Sequence, residues 1–382
     1  MMLKNNGITM QLLAGSHIKI VFVLTDLEGR GVPRVVLNLA KGFSMYSEVE
    51  CHVVCLENHI EYEIPDSIRL HILDLPKKNI LTAPFFRRLS ARRIDAYILE
   101  HIGLPDLVLS NLTHVDKIMK FSQLPVMHVV HSTYPENDFG GVIDPARKKK
   151  LIESTYTRHP ITCVSRKSME GLVSNFSIIQ PVTYIYNPVD VNSVVMKSKS
   201  DAEEKLIQSF GDYIINVGAF VPAKNHGMLI HAWKMANVPY KLVLVGQGEE
   251  EARVKSLVKE LGVEDKVVFA GYHVNPFPFI KHAKLFVMSS LYEGLPCVML
   301  ETLAIGTPVV STDCPGGLAE LFGDTHRHCL SPVNDVKALA TNIEAALADP
   351  QRYTVPLRDE FRLESVVSQY LKLIDQVRKD KL

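Results

Sequence analysis

Two glutamates stand eight positions apart in the stretch SSLYEGLPCVMLETLAIGTPVV. Glu293 lies in a Gly/Pro turn, whereas Glu301 lies among apolar residues, where an unpaired carboxylate is costly to bury. Pro296 suits the first turn of a helix, so the amide groups from Leu295 to Val298 are expected to be available to an anion. A buried acid close to such a helix start indicates a ligand that contacts both.

The chemistry of that ligand follows from the geometry of a helix. Side chains lean toward the N-terminal end of their helix, so Glu301 is expected to lean toward the anion site. A carboxylate can accept two hydrogen bonds from a vicinal diol, as acids do with ribose. Phosphate at the helix start, near Gly294 and Cys297, together with ribose on Glu301 describes a nucleotide. Glu293 would lie beside the rest of the ligand. The alternative is a buried Glu301 that backbone groups satisfy.

Two further loops carry residues that suit an anion. Lys224, in NVGAFVPAKNHGMLIHAW, precedes a helix, where an ammonium opposes the helix dipole unless an anionic ligand shares the place. Gly29 and Gly31, in TDLEGRGVPRVVLNLAKG, permit a tight turn that exposes amide groups at a helix start. The turn is not a dinucleotide fingerprint, because Arg34 occupies the third glycine position. A solvated lysine and a plain strand–helix turn are the alternatives.

A histidine ends one of the apolar runs. His131 closes VMHVVH and leads into the polar loop STYPENDFGG, so its side chain is a candidate to face a cleft. His128, in the same run, is expected to be a core residue. The sequence leaves open whether His131 is functional.

Short apolar runs rich in β-branched residues alternate with helical patterns, as a parallel sheet covered on both faces requires. The alternation occurs twice, which predicts two doubly wound α/β domains, joined by a polar linker at 187–205. We assign the first domain to residues 1–188 and the second to residues 189–357. A C-terminal helix at 358–382 is expected to pack back toward the first domain. The runs are at 18–24, 51–56, 106–110, 126–131, 161–165, 182–187, 213–220, 241–246, 266–271, 284–290 and 308–312.

Length and composition agree with this organisation. A chain of 382 residues suits two domains of roughly 150–200 residues. Lys and Arg together number 42, equal to Asp and Glu, which argues against a nucleic-acid binder. The first residues lack the apolar core of a signal peptide, and no window approaches the ~20 apolar residues that span a bilayer. We therefore expect a cytoplasmic protein, or one on the cytoplasmic face of a membrane.

The six cysteines form no Cys-x-x-Cys pair and lie in apolar runs, which indicates buried, reduced thiols. The stretch CHVVCLENH, with Cys51, His52, Cys55 and His59, allows a zinc site as an alternative. Alternation along a strand would instead place Cys51 and Cys55 on one core face. We expect no metal.

The order of these motifs resembles the family 4 glycosyltransferases of the GT-B fold, in which two Rossmann-like domains face each other across a cleft. The resemblance covers about residues 17–375 and rests on Glu293-x7-Glu301, the Lys224 loop, the YNPVD linker and the N-terminal Gly loop followed by RVVLNLAKG. It is closest to bacterial transferases that build lipopolysaccharide, O-antigen or lipid-linked glycans.

The resemblance implies a retaining hexosyltransferase without a cofactor or metal. Its donor would be a nucleotide sugar, most often UDP-linked, and its acceptor a glycan or glycolipid bound by the first domain. Glu301 would bind ribose, Glu293 would orient the donor sugar, and Lys224 would neutralise the diphosphate. His131 would hydrogen-bond the donor sugar, and Tyr272 would lie near the base. Amides of Gly29, Gly31 and Leu295 to Val298 would assist.

One departure and several rival functions remain. Many family members have Gly-Arg where this chain has Gly218-Ala219, so one phosphate cation is missing, and Arg30 is a candidate replacement.

A GT-B epimerase would use the same donor without an acceptor, and a non-catalytic glycan-assembly partner would turn over no donor. A glycosidase would use both glutamates, but a helix-interior Glu301 argues against it. The basic segment FFRRLSARR is a candidate contact for anionic lipid or an acidic acceptor, or a solvated helix face.

Overall fold

Two parallel sheets form the framework of the protein. The computed structural model describes residues 17–29, 31–75, 84–133 and 144–379. The first sheet has seven strands: β1 (Ile18–Leu24), β2 (Val49–Cys55), β3 (Arg69–Ile72), β4 (Leu107–Asn111), β5 (Val126–Val130), β6 (Ile161–Cys163) and β7 (Val182–Tyr184). The second has six: β8 (Tyr213–Val217), β9 (Lys241–Val245), β10 (Val267–Gly271), β11 (Leu285–Met288), β12 (Val309–Thr312) and β13 (Leu330–Ser331).

Helices cover these sheets. In chain order those of the described residues are α1 (Gly31–Phe43), α2 (Pro84–His101), α3 (Thr113–Met119), α4 (Pro145–Thr155), α5 (Arg166–Asn175), α6 (Val191–Lys197), α7 (Glu204–Phe210), α8 (His226–Ala236), α9 (Glu251–Glu260), α10 (Phe277–His282), α11 (Cys297–Ile305), α12 (Leu318–Phe322), α13 (Val336–Ala348) and α14 (Leu363–Lys379). Three short 3-10 turns lie at Pro222–Lys224, Arg327–Cys329 and Asp359–Phe361.

The strand order of each sheet reverses once. The first sheet runs β3-β2-β1-β4-β5-β6-β7 and the second β10-β9-β8-β11-β12-β13, with the strand pairs parallel. In doubly wound sheets, ligands bind beyond the carboxyl ends of the strands where the order reverses. These points lie between β1 and β4 and between β8 and β11. The arrangement confirms the prediction of two doubly wound α/β domains.

Local sequence accounts for the elements that flank the site. Strand β1, IKIVFVL, is apolar on both faces because helices cover both sides of its sheet. Helix α1 buries one stripe that includes Val35, Val36 and Leu39. Asn225, in the left-handed region at φ 48°, caps α8 by accepting from the Met228 amide at 3.4 Å.

The sequence missed two strands and misjudged the linker. Strand β3, RLHI, is a half-polar edge strand, and β13 has only two residues, so neither gives an apolar run. The polar segment expected to be a linker contains helix α6. Asp190 caps that helix by accepting from the Ser193 amide at 2.9 Å, and it also pairs with Lys41 at 2.6 Å.

The last helix packs on the first. Tyr370 of α14 is buried edge-on against Phe43 of α1, with ring centroids 6.0 Å apart. A side chain at Gly42 would meet Val367 and Leu363, so glycine permits this close approach. The chain reaches α14 by crossing beside Val189, whose amide donates to the Phe361 carbonyl at 2.9 Å.

The cysteines are free thiols, and all but Cys297 are buried. Cys51 and Cys55 lie in strand β2, and burial raises the pKa of both to about 12. Within the described residues, no group of three His, Cys, Asp or Glu side chains is placed to hold a metal ion. Among the helices of those residues, none combines the length and apolarity needed to cross a membrane.

Replacing Tyr370 with alanine is expected to lower the free energy of unfolding by about 3 kcal/mol, because it leaves a cavity between α14 and α1. Urea unfolding measures the change. Lys372→Ala, at an exposed position of the same helix, is the control and is expected to change stability little. Equal stability of the two variants would contradict the packing described for α14.

Candidate active site

The carboxyl ends of the two sheets meet directly. Gly294, in the turn after β11, lies so close to the loop after β5 that an added Cβ would be 1.9 Å from the His131 carbonyl oxygen. The Ser165 hydroxyl donates to the Gly294 carbonyl at 3.2 Å, and the Asn187 amide donates to the Leu295 carbonyl at 3.0 Å. Loops after β5, β6 and β7 therefore hold the turn that carries Glu293.

Glu293 and Lys224 form an ion pair. The Lys224 ammonium lies 2.5 Å from Oε1 of Glu293, and the Ser290 hydroxyl donates to the same oxygen at 2.6 Å. Both side chains stay partly exposed, 24% for Lys224 and 11% for Glu293. The backbone at Gly316, at φ +118°, packs directly against the Glu293 backbone. Only glycine permits this contact, since a Cβ there would lie 1.5 Å from the Glu293 carbonyl oxygen. Lys224 and Glu293, both predicted to contact the donor, are thus adjacent to each other beside the cleft.

Glu301 is buried and has a partner from the other domain. Nη1 of Arg34, on α1, donates to both of its carboxylate oxygens at 2.8 and 3.0 Å. Burial raises the pKa of Glu301, and the Arg34 guanidinium opposes that rise. In this structure a cation, rather than the backbone, satisfies the carboxylate.

The start of helix α11 faces the same region. Pro296 is the residue before the helix, so the first helical residue is Cys297 and not Pro296. The Met299 amide already donates to the Pro296 carbonyl at 3.1 Å. Pro296 has no N–H, so Cys297 and Val298 carry the amides of the helix start that an anion can use.

The Gly29–Gly31 turn faces this helix from the first domain. The Gly29 amide donates to Oε2 of Glu61 at 2.7 Å, and an added Cβ at Gly29 would lie 1.7 Å from the Tyr272 hydroxyl. The Gly31 carbonyl is 4.0 Å from the Cys297 sulfur. Arg30, the candidate second phosphate cation, lies outside the described residues.

His131 is neutral and has a fixed tautomer. Burial lowers its pKa to about 4. Its Nε2 lies 2.9 Å from Oδ1 of Asn111, whose own amide nitrogen donates to the Leu109 carbonyl at 2.9 Å. The amide is therefore oriented with its oxygen toward the histidine, so Nε2 carries the proton. Nδ1 is left as an acceptor for a hydroxyl group.

Family models match both halves of the chain. A model of Glycosyltransferase Family 4 matches residues 29–193, and a model of Glycosyl transferases group 1 matches residues 198–362. The first model covers strands β2 to β7 of the first sheet, and the second covers all six strands of the second sheet. The chain belongs to the family 4 glycosyltransferases. The boundary between the two models lies within helix α6, close to the predicted change of domain at residue 188.

This glycosyltransferase has relatives in bacterial glycan assembly. It is 28% identical over 349 residues to N-acetylgalactosamine-N,N'-diacetylbacillosaminyl-diphospho-undecaprenol 4-alpha-N-acetylgalactosaminyltransferase of Campylobacter jejuni, covering 87% of this chain and 90% of the relative. It is 34% identical over 169 residues to the lipopolysaccharide core biosynthesis glycosyltransferase LpsE of Rhizobium meliloti, covering 42% and 49%. The epimerase alternative finds no support among these relatives.

Solved structures share the GT-B fold. Sucrose-phosphate synthase from Thermosynechococcus elongatus superposes with a TM-score of 0.77 at 19% identity, covering 95% of this chain and 100% of the other. Anabaena HepE in complex with UDP and glucose gives a TM-score of 0.69 at 17% identity, covering 95% and 99%. At these identities the likeness shows the fold alone, and it confirms the predicted GT-B architecture.

Three residues that contact the candidate site residues escaped the sequence prediction. Arg34, Glu61 and Asn111 contact Glu301, Gly29 and His131 across long chain separations. Arg34 did give one signal, because a charged residue follows the glycine turn where a glycine fingerprint would continue.

Gly294→Ala is expected to separate the two domains of the glycosyltransferase, because the methyl group would clash with the His131 carbonyl. We expect a larger radius of gyration in small-angle X-ray scattering and a lower melting temperature. Gly227→Ala is the matched control, since its new Cβ would lie at an ordinary 3.6 Å from the Leu257 side chain. If the two variants give the same scattering and melting, the described approach of the domains is wrong.

Proposed function

We propose that the enzyme transfers a sugar, with retention of configuration and without a metal, from a UDP-linked donor to a hydroxyl group of a lipid-linked glycan. The observation that carries the proposal is that the two points of reversed strand order, one in each sheet, face each other. Glu293, Lys224, Glu301 and the start of α11 lie together there. The relatives named for diphospho-undecaprenol and lipopolysaccharide acceptors support the acceptor class. Work on such acceptors would take place at the cytoplasmic face of the membrane.

The leaving group of this reaction is a nucleoside diphosphate, and positive charge stabilises it. Lys224 is already aimed by Glu293 and keeps further N–H donors for phosphate oxygens. The amides of Cys297 and Val298 add the positive end of helix α11. These groups would stabilise the negative charge of the diphosphate, which a divalent cation does in other enzymes.

The donor's ribose and sugar take the remaining groups. Glu301 would accept hydrogen bonds from the ribose hydroxyls, while Glu293 and Nδ1 of the neutral His131 would accept from hydroxyls of the sugar. The acceptor hydroxyl would attack the face that the diphosphate leaves, and a phosphate oxygen would take its proton. No protein nucleophile is needed, and the ion-paired Glu301 is unsuited to the second carboxylate role of a glycosidase.

The acceptor's membrane is the proposed partner of a basic cluster on the first domain. We define this cluster as Arg87 and Arg88 of α2 with Lys117 and Lys120. Burial and Arg87 lower the pKa of Lys117, and burial, Arg87 and Arg88 lower the pKa of Lys120, so both lysines experience repulsion from neighbouring cations of the cluster. An anionic surface relieves such repulsion.

Apolar side chains accompany the cluster. Phe86 and Leu89 are 39% and 54% exposed on the same helix. Arg88 and Lys120 both make cation–π contacts with Phe121. Their charged groups lie 5.1 and 5.0 Å from the centroid of its ring. Cations beside exposed apolar groups are typical of a peripheral membrane contact.

UDP is expected to raise the melting temperature more than GDP, ADP or CMP. Glu301→Ala is expected to weaken UDP binding at least about tenfold, because hydrogen bonds to a buried carboxylate are lost. Thermal-shift and calorimetric titrations measure both effects, with the exposed Glu260→Ala as control. A wild-type protein that no nucleotide stabilises would overturn the proposed transfer, whereas full UDP affinity in Glu301→Ala would overturn only the ribose assignment.

Replacing Arg87, Arg88, Lys117 and Lys120 together with glutamine is expected to weaken binding to phosphatidylglycerol-containing vesicles at least about tenfold. Vesicle sedimentation measures this, with phosphatidylcholine vesicles and high salt as reference conditions. A control variant removes four exposed cations of the second domain: Arg253, Lys255, Lys259 and Lys266. Equal sedimentation of the two variants would show that the basic cluster is not the membrane contact.

A further inference from the structure

Arg34 reaches from one domain into the donor half of the other. It lies in the first turn of α1, yet its Nη1 donates to both oxygens of Glu301 at 2.8 and 3.0 Å. Its Nη2 donates to the carbonyl of Val274 at 3.2 Å, also in the second domain. One guanidinium therefore makes three hydrogen bonds across the cleft, and the separation along the chain to Glu301 is 267 residues.

Aromatic rings hold the guanidinium in place. Its carbon lies 5.8 Å from the ring centroid of Tyr62, in the first domain, and 5.4 Å from that of Phe277, in the second. The Arg34 side chain is 21% exposed and that of Glu301 only 4%. Contacts from both domains thus fix the guanidinium, and the guanidinium in turn fixes the carboxylate.

The geometry of the pair leaves the carboxylate able to bind a ligand. An ionised carboxylate has about four acceptor positions on its two oxygens. Arg34 takes one on each oxygen. One position on each oxygen remains, which matches the two hydroxyl groups of a ribose.

We propose that Arg34 is a positioning residue for donor recognition: it holds Glu301 ionised and oriented so that both ribose hydroxyls can donate to it. The proposal rests on the ribose role given to Glu301 above. Because the two residues belong to different domains, the ribose site is complete only when the domains are closed. Arg34 does not itself touch the reacting atoms.

The charges around Glu301 determine what its ionisation depends on. Burial raises the pKa of Glu301, while Arg34 and, after it, Lys197 of α6 lower it. Cys297, at the start of the same helix, and Tyr62 are the titratable groups that interact with its charge, and burial raises the pKa of each to about 12. Among the described residues that act on Glu301, Arg34 is therefore the main group that favours its ionised form.

Removing the guanidinium makes ribose recognition depend on pH. Without Arg34 the pKa of Glu301 rises further, so a larger fraction of the carboxyl group is protonated at a given pH, and that fraction grows as the pH is lowered. A protonated carboxyl group loses acceptor capacity for the diol. Nucleotide affinity is then expected to fall as the pH falls, in proportion to the loss of the ionised form.

The test compares UDP with 2′-deoxy-UDP by calorimetric titration at about pH 8 and about pH 6. The wild-type protein is expected to prefer UDP by about tenfold at both values. Arg34→Met is expected to lose most of that preference at the lower pH and to keep more of it at the higher. Arg34→Lys keeps the charge and is expected to restore a pH-independent, smaller preference. Arg253→Met, at an exposed site on α9, is the matched control.

Several outcomes would contradict the proposed role of Arg34. Arg34→Met with the wild-type preference at both pH values would overturn the proposal, and so would a weakening that is equal for both nucleotides and independent of pH. Tighter UDP binding by Arg34→Met would show instead that Arg34 competes with ribose for Glu301. If the wild-type protein bound neither nucleotide, the proposed function and this inference would both be overturned. Circular dichroism and melting of the variants verify that they are folded.

Discussion

A carboxylate stays ionised inside a protein only if a charged partner or hydrogen-bond donors compensate its burial, and Glu301 lies under that constraint. Its partner, Arg34, belongs to the opposite domain, so the compensation exists only while the domains are closed. Helix α11, which carries Glu301, begins at the turn that contains Glu293. The electrostatic state of one acid is thereby tied to the relative position of the two halves of the molecule.

The topology explains why the charges meet at one place. Each sheet reverses its strand order once, and the loops that follow the strands on either side of the reversal open toward the cleft. The Gly29 turn follows β1, Asn111 ends β4, Lys224 follows β8 and Glu293 follows β11. Glycine at position 294 allows a close approach of the two domains, since any side chain there would meet the His131 backbone.

The pairing of charges also bears on the diphosphate binding proposed for this site. Lys224 rests on Glu293 and Arg34 on Glu301, so each cation is held in place by an acid rather than by solvent. Such pairs place their charges before a ligand arrives, which lowers the reorganisation that binding requires. At the exposed Ala219 the chain lacks the arginine that the family resemblance led us to expect, and Lys224 is the cation that pairs with Glu293 on that side of the described site.

The sequence by itself determined the two doubly wound domains, because strands buried on both faces must be continuous apolar runs between helices. It also determined the helix start after Glu293 and the unusual place of Glu301, since both follow from local spacing. Only the tertiary structure decided that Arg34 faces Glu301, that Glu293 pairs with Lys224 and that Glu61 binds the Gly29 amide. Those contacts join loops far apart in the chain, and the strand order and domain closure that bring them together leave no local pattern in the sequence.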